Sequence, residues 1–392
     1  MPEKELVAIV YPFFAHYRDA VNSKLNESKR CRYLFVGART GRDGIEVWKP
    51  SNDFAFLETR NVTVMGFLFQ SGLIRLAFRR DVKQIIFLAD AHYVTTWLAA
   101  FLARLTGKRV LFWTHGWTKV DTGLKRIFRL VFYRLAHDLL LYGHHAKNIG
   151  IQEGFLPEHL HVVYNSLDYP AQVTERQSVT ETAIAKVRST LFKNPQYPLL
   201  IYIGRLTLNL RFHLLLDALS LLKRQGFEAN LLIIGDGPAR SGLLSRAVRE
   251  GLNVNSYGAC YVEAVLAGLL MAADLTVVCG RVGLTGIHSL AYGTPVLAHS
   301  DPEDQHPEWE SIISGYNGCY FAKDDSHDLA RAIREWLAEA PERKQLRRQC
   351  CEVVNRFYNP EYQAAQIERA LDGEPSTDAE WEAFKSLFEK SF

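Results

Sequence analysis

The sequence predicts an α/β chain: two Rossmann-like, doubly wound domains facing a central cleft, followed by C-terminal helices. Three observations predict it. Short, continuous, β-rich apolar runs alternate with longer helical patterns, the signature of parallel strands buried on both faces. The alternation stops at a polar interval and then restarts, which implies two such sheets. Several runs end in glycine, histidine or arginine, where loops beyond strand carboxyl ends receive ligands.

In the first half the strand-like runs are LVAIV (6–10), YLFVG (33–37), QIIFLAD (84–90), RVLFWTHG (109–116), LLLYG (139–143) and HVVYN (161–165). Helical patterns over 93–105 and 124–136 lie between them. The stretch AQVTERQSVTETAIAK (171–186) breaks the rhythm and reads as a linker. Strand-like runs return at PLLIYIGR (198–205), ANLLIIGDGP (229–238), DLTVVCG (274–280) and TPVLAHS (294–300). The chain then turns helical over 328–337, 342–357, 360–371 and 378–389. The expected organisation is one Rossmann-like domain at 1–170, a linker at 171–190 and a second Rossmann-like domain at 191–358. The helices of 359–392 are expected to pack back toward the first domain.

Composition narrows the class. Of 392 residues, 48% are hydrophobic and 23% charged, which suits a globular protein with filled cores. A net charge of +3 gives no reason to expect nucleic acid binding. Six cysteines without C-x-x-C spacing argue against a zinc ribbon or redox motif. The opening MPEKELVAIVYPFF reads as a first strand, and no apolar run approaches the ~20 residues of a spanning helix. These features predict a cytoplasmic protein.

The stretch GRVGLTGIHSLAYGTPV (280–296) carries the strongest chemical signal. A turn at Gly283, Leu284 and Thr285 leads into a helix whose free N–H groups and dipole would receive a phosphate or sugar oxygen. His288 lies one turn further in; alone, it reads more readily as a satisfied core histidine. In IYIGRLTLNLRFHLLLDAL, Gly204 ends a strand and Arg205 offers a planar fork for a diphosphate, with Arg211 as a second cation or as a solvated loop residue. In LFWTHGW, His115 follows a buried strand and is placed to hydrogen-bond a substrate hydroxyl, unless it serves packing. LADAH presents Asp90 and His92, and YPFFAHYRD presents His16 and Arg18; these four are candidate acceptor contacts. The segment GLKRIFRLVFYRLAH holds Lys125, Arg126, Arg129 and Arg134 among aromatics and no acid, a pattern shared by membrane-surface helices and ordinary surface helices.

Taken in order along one chain, these stretches resemble the family 4 retaining glycosyltransferases, the "group 1" transferases of GT-B fold. The likeness is carried by GRL before LLLDAL, LLIIGDGP, YGAC before a helix, ADLTVVCG, GLTGIHSLAYGTPV and GYNG, with WTHG and HVVYNSLD in the first half. The family places two glutamates eight positions apart where this chain has Gly280 and His288. The pattern is similar to a branch with GLT-x-IHSL in their place. The family's diphosphate lysine falls on Leu210, beside Arg211, and its glycine-rich first loop is replaced by FFAHYR.

The resemblance implies metal-independent transfer, with retention, from a nucleotide-diphosphate sugar to a saccharide or lipid-linked saccharide in surface polysaccharide assembly. Arg205, Arg211 and the Gly283–Thr285 turn would stabilise the departing diphosphate, and no Asp-x-Asp appears at a strand end. His115 would touch the donor sugar, His288 the ribose or phosphate, and Tyr257, Gly258 and Ala259 the base. Glu308 or Glu310 would replace the missing sugar-contacting glutamate. The expected partners are donor, acceptor and the inner membrane surface; no cofactor is expected. Two alternatives stay open: a non-catalytic sugar-nucleotide-binding subunit and a sugar-nucleotide epimerase.

Overall fold

A computed structural model describes residues 4–41, 45–207 and 210–389. The chain divides into two compact units. Unit 1 comprises Met1–Asp168 and Asn359–Trp381, and unit 2 comprises Tyr169–Tyr358 and Glu382–Phe392.

Unit 1 is built on strands β1 (Glu5–Phe13), β2 (Cys31–Ala38), β3 (Ala55–Glu58), β6 (Val82–Leu88), β7 (Arg109–Thr114), β8 (Asp138–Leu141) and β9 (Leu160–Val162). A hairpin of β4 (Asn61–Val64) and β5 (Phe67–Gln70) interrupts them. The main sheet runs β3-β2-β1-β6-β7-β8-β9, all parallel, so the order reverses beside β1. Its helices are α1 (Asp19–Asn26), α2 (Leu73–Ala77), α3 (Val94–Leu105), α4 (Gly123–Tyr133), α5 (His144–Gln152) and, returning from the chain's end, α14 (Pro360–Leu371).

The continuous apolar runs have a simple cause. Leu6, Ala8 and Val10 join one core with Ala99, Leu130 and Ile149, while Val7, Ile9 and Tyr11 join another with Leu25, Ile367 and Leu371. Alternate residues of β1 therefore enter opposite cores, and neither face can be polar. Each such buried aliphatic side chain contributes ~1.5–3 kcal/mol.

Unit 2 contains β10 (Leu199–Ile203), β11 (Asn230–Ile234), β12 (Asn253–Gly258), β13 (Leu275–Val278), β14 (Val296–His299) and β15 (Gly318–Phe321). Their order, β12-β11-β10-β13-β14-β15, is the doubly wound 3-2-1-4-5-6 arrangement, with its switch point between β10 and β13. The helices are α6 (Tyr169–Ser178), α7 (Glu181–Leu191), α8 (Phe212–Arg224), α9 (Arg240–Arg249), α10 (Glu263–Ala272), α11 (Leu284–Ala291), α12 (Ser326–Glu339) and α13 (Arg343–Arg356). A last helix, α15, spans Ala379–Glu389.

The interval expected to be a linker is instead helical. Thr180 caps α7 by accepting from the Ala183 amide at 3.2 Å, and Ile184 enters a core with Leu266, Ala267 and Leu270 of α10. A single apolar stripe of Ile184, Val187 and Leu191 holds α7 in place while its other positions are largely polar, which is why composition suggested a linker.

Candidate functional site

The unit 2 strands deliver the donor-site candidates to one edge of the sheet. Gly204 and Arg205 follow β10, Tyr257, Gly258 and Ala259 end or follow β12, and Gly280 to Thr285 join β13 to α11. Between them, after β11, Gly235 is required by close approach. A Cβ there would lie 1.9 Å from the Gly204 carbonyl oxygen, so any side chain would push apart the loops after β10 and β11.

Arg205 is exposed, and its guanidinium has no ion pair among the described residues. Beside it in the sheet order, α11 begins at Gly283 with no side-chain cap, leaving its first amides available to an anion. Tyr257 is 43% exposed and Tyr261 89%, an apolar rim suited to stacking a planar base.

Arg211 does not stand free as a substitute cation. It adopts a left-handed conformation ahead of α8, where its Nη2 reaches Asp304 at 2.7 Å and its Nε reaches Asp324 at 2.8 Å. Asp304 also draws in Arg281 at 2.8 Å and Lys323 at 2.9 Å. Burial pushes the Asp304 carboxyl up, but bonds from Lys323, Arg211 and Arg281 outweigh it and hold the group well below the usual range. The pairing partners lie about a hundred residues downstream, beyond the reach of local reading.

His288 is only partly buried, and its Nε2 lies 2.8 Å from Glu263 Oε1 on α10. The Tyr292 hydroxyl donates to the same oxygen at 2.7 Å. Burial raises the Glu263 carboxyl, and hydrogen bonds from His288, Tyr292 and Gln172 more than reverse this, so it stays ionised below its ordinary value. Where the resemblance has a carboxylate, this chain thus has an imidazole backed by one. Glu263 escaped the sequence reading because it belongs to a different helix; its place as the acid in the first turn of α10 was the only local sign. Glu308, expected as a substitute glutamate, is 3% exposed in the short turn Pro307–Ser311, and Glu310 shares that turn.

The two departures from the family pattern meet. A Cβ at Gly280 would lie 3.2 Å from Leu210 Cα and 3.3 Å from its Cδ2 and carbonyl oxygen. Leu210 therefore occupies the space into which a longer residue at 280 would extend.

In unit 1 the candidates also cluster at strand ends. His16 and Arg18 follow β1, Asp90 and His92 follow β6, and His115 follows β7. His115 is exposed, with its ring 4.8 Å from that of Tyr142. Asp90 Oδ1 meets His92 Nδ1 at 2.7 Å. Arg18, expected to reach an acceptor, is instead 8% exposed and packed among Tyr11, Trp113 and Tyr142.

The basic segment is less basic than it reads. Lys125 and Arg129 pair with Asp121 at 2.9 and 2.6 Å, Arg126 pairs with Glu153 at 2.7 Å, and Arg134 lies 5.6 Å over the Phe155 ring. Alongside the exposed Lys125 and Arg126, α4 exposes an apolar stripe: Leu124, Ile127, Phe128 and Val131 at helical spacing. Val94, Leu98, Phe101 and Leu105 form a similar stripe on α3, and Trp97 of α3 joins Phe128 of α4 at 4.6 Å.

The fold is that of the GT-B proteins. The chain superposes on Anabaena HepE in complex with UDP with a TM-score of 0.69 at 16% identity, covering 94% of this chain and 99% of that one. It superposes similarly on the lipopolysaccharide outer core galactosyltransferase WaaB, with a TM-score of 0.67 at 14% identity and coverage of 93% and 99%.

Within that fold, residues 184–351 match the family Glycosyl transferases group 1. Over 189 residues the chain is 30% identical to a GDP-mannose-dependent α-(1-6)-phosphatidylinositol dimannoside mannosyltransferase of Mycobacterium tuberculosis, covering 47% of this chain and 46% of the relative. It is 27% identical over 179 residues to an α-monoglucosyldiacylglycerol synthase of Streptococcus pneumoniae, covering 43% and 38%. The matches span less than half the length of these relatives.

Proposed function

We propose that the protein is a retaining glycosyltransferase that uses a nucleotide-diphosphate sugar and glycosylates a saccharide or lipid-linked saccharide. The observation that carries this reading is the switch point of unit 2, inside the matched family segment, where exposed Arg205 adjoins the uncapped start of α11.

In the proposed reaction the bond from the anomeric carbon to the diphosphate oxygen breaks as the acceptor oxygen bonds that carbon on the same face. The acceptor's proton passes to the departing phosphate oxygen. Arg205 and the amides at Leu284 and Thr285 stabilise the charge that develops there. His288, oriented by Glu263, hydrogen-bonds the ribose or phosphate, and Tyr257 to Ala259 meet the base. The strand ends of unit 1 receive the acceptor, through residues that include His16, Asp90 and His92.

A lipid-linked acceptor is supported by the exposed apolar stripes of α3 and α4, which suit peripheral binding to a membrane. The names of two relatives, one with phosphatidylinositol dimannoside and one with monoglucosyldiacylglycerol in them, support it too. No helix among the described residues is long and apolar enough to cross a membrane.

Thermal shift and diphosphate release across UDP-, GDP- and dTDP-sugars, with EDTA present, test the proposal. Stabilisation by one nucleotide with slow release of its diphosphate is the expected result. The packing of Leu210 against Gly280 favours a second reading, a binding subunit, which predicts stabilisation without turnover even when acceptors are added. Absence of stabilisation by every nucleotide would overturn both.

A further inference from the structure

Unit 1 contains a buried positive charge that no acid among the described residues answers. Arg18 is 8% exposed, and its guanidinium carbon lies 4.9 Å from the Trp113 ring, 5.4 Å from Tyr11 and 5.5 Å from Tyr142. Its Nη2 donates to the Tyr142 hydroxyl, while its Nη1 has no hydrogen-bond partner among the described residues. The strongest electrostatic influences on it come from Tyr11, Tyr142 and Tyr17, none of them a carboxylate. Asp19, next along the chain, accepts from Trp48 Nε1 at 2.6 Å instead.

Elsewhere the same chain pairs several partly buried arginines with acids: Arg109 with Asp138, Arg188 with Asp274 and Arg211 with Asp304. Burying a guanidinium is costly unless it is paired. Three aromatic faces offset part of that cost but cancel no charge, and an arginine presents five donors. Arg18 is thus a buried charge without a counter-ion among the described residues, and it sits where ligands of such sheets bind, beyond β1 at the reversal of strand order. Adjacent to it in the chain, or joined to it through Tyr142, are exposed or half-exposed groups able to hydrogen-bond an oxyanion: His16 and Tyr17 on the same turn, and His115, whose ring packs on the tyrosine that Arg18 holds.

We propose that His16, Tyr17 and His115 rim an anion subsite whose charge is supplied by Arg18, and that it takes a phosphate or carboxylate carried by the acceptor. This rests on the glycosyltransferase reading and narrows its acceptor to an anionic one. Arg18 is a positioning residue here. It sets the field at the rim and fixes Tyr142, against which His115 packs, without touching the acceptor itself.

The test measures calorimetric binding of inorganic phosphate and of glucuronate to the full chain at constant ionic strength. It is run in an Arg205→Ala background, so that the unit 2 site does not contribute. Nucleotide binding is measured separately with Arg205 intact. The expected result is binding of at least one anion, weakened tenfold or more by Arg18→Met and largely kept by Arg18→Lys, with nucleotide affinity within twofold. Arg18→Met should also melt no lower than its parent, since an unanswered buried charge has been removed. Phosphate alone binding would assign a phosphorylated acceptor, and glucuronate binding an acidic sugar; either supports the subsite.

Absence of binding by both anions would overturn it, as would anion affinity that Arg18→Met leaves unchanged. Arg18→Met melting several degrees lower, with Arg18→Lys equally unable to bind, would make the arginine a packing element and overturn it too. Loss of nucleotide affinity in Arg18→Met would assign the charge to the donor and overturn the acceptor assignment. Failure of every nucleotide to bind, with anion binding intact, would instead remove the glycosyltransferase reading while leaving the subsite standing.

Discussion

Glu263→Gln keeps the shape of a side chain and removes its charge, and it isolates the support under His288. Two donors converge on Glu263 Oε1, from His288 at 2.8 Å and Tyr292 at 2.7 Å. A hydrogen bond to a charged group contributes ~1.5–3 kcal/mol and a neutral one ~0.5–1.5 kcal/mol, so the pair loses roughly 1–3 kcal/mol. The Glu263 side chain is 36% exposed, and solvent screening brings the expected loss down to ~1–2 kcal/mol. For a unit of this size that lowers Tm by about 2–8 °C.

The second readout is nucleotide affinity. With its anchor weakened, His288 no longer holds one orientation, and affinity for the nucleoside diphosphate that stabilises the wild type should fall about tenfold, which is ~1.4 kcal/mol. Differential scanning calorimetry and isothermal titration measure the two effects. The direction with pH follows from the lowered Glu263 carboxyl. Its contribution is present above the usual glutamate value and is lost as pH falls through the folded one. A variant that melts lower but binds nucleotide within twofold of wild type would refute the link between Glu263 and binding. An unchanged Tm would refute the network itself.

Three further outcomes follow from other parts of the molecule. Gly280→Ala places a Cβ 3.2 Å from Leu210 Cα and should cost ~1–3 kcal/mol in urea unfolding. Burial raises Asp138, but bonds from His161, His159 and Arg109 bring it down to about 2. That depression is worth ~2 kcal/mol at neutral pH, present above the unfolded value near ~3.9 and lost as pH falls toward the folded one. Asp138→Asn should therefore lower Tm at pH 7 and flatten the acid limb of the stability profile. Leu105 and Leu124 are 68% and 84% exposed, so serine at both should leave Tm within a degree or two while weakening binding to anionic phospholipid vesicles at least tenfold, read by co-sedimentation.

The sheets were legible because both of their faces are buried: the runs at β1, β6, β7, β10 and β11 have no polar face to confuse the pattern. The C-terminal helices begin at residues whose side chains cap them, Asp325, Glu342 and Asn359, each of which accepts from amides of the first turn. The hairpin of β4 and β5 was not legible. Its turn at Met65 and Gly66 uses two positive φ angles, and its exposed Val62, Val64, Phe67 and Phe69 carry no inward periodicity.

At the site, Arg205 and the Gly283 turn could be read because their place after a strand is a local property. Glu263 beside His288, Asp304 beside Arg211 and Tyr142 beneath His115 could not. Each joins residues 25 or more positions apart through tertiary packing. The same limit made the α4 segment look more cationic than it is, since Glu153, which answers Arg126, belongs to the next helical region.

Binding of a sugar-nucleotide diphosphate at the β10–α11 edge of unit 2 turns on Arg205. Its side chain is exposed and without an ion pair among the described residues, so its removal should leave stability within about 0.5 kcal/mol. A charge-assisted bond to a phosphate is worth ~1.5–3 kcal/mol, enough to weaken nucleotide binding by more than tenfold. The measurement is the Kd of the stabilising nucleoside diphosphate for wild type and Arg205→Ala, by isothermal titration. A tenfold or greater rise in Kd at unchanged Tm is the predicted result. Equal affinities in the two proteins would contradict the account.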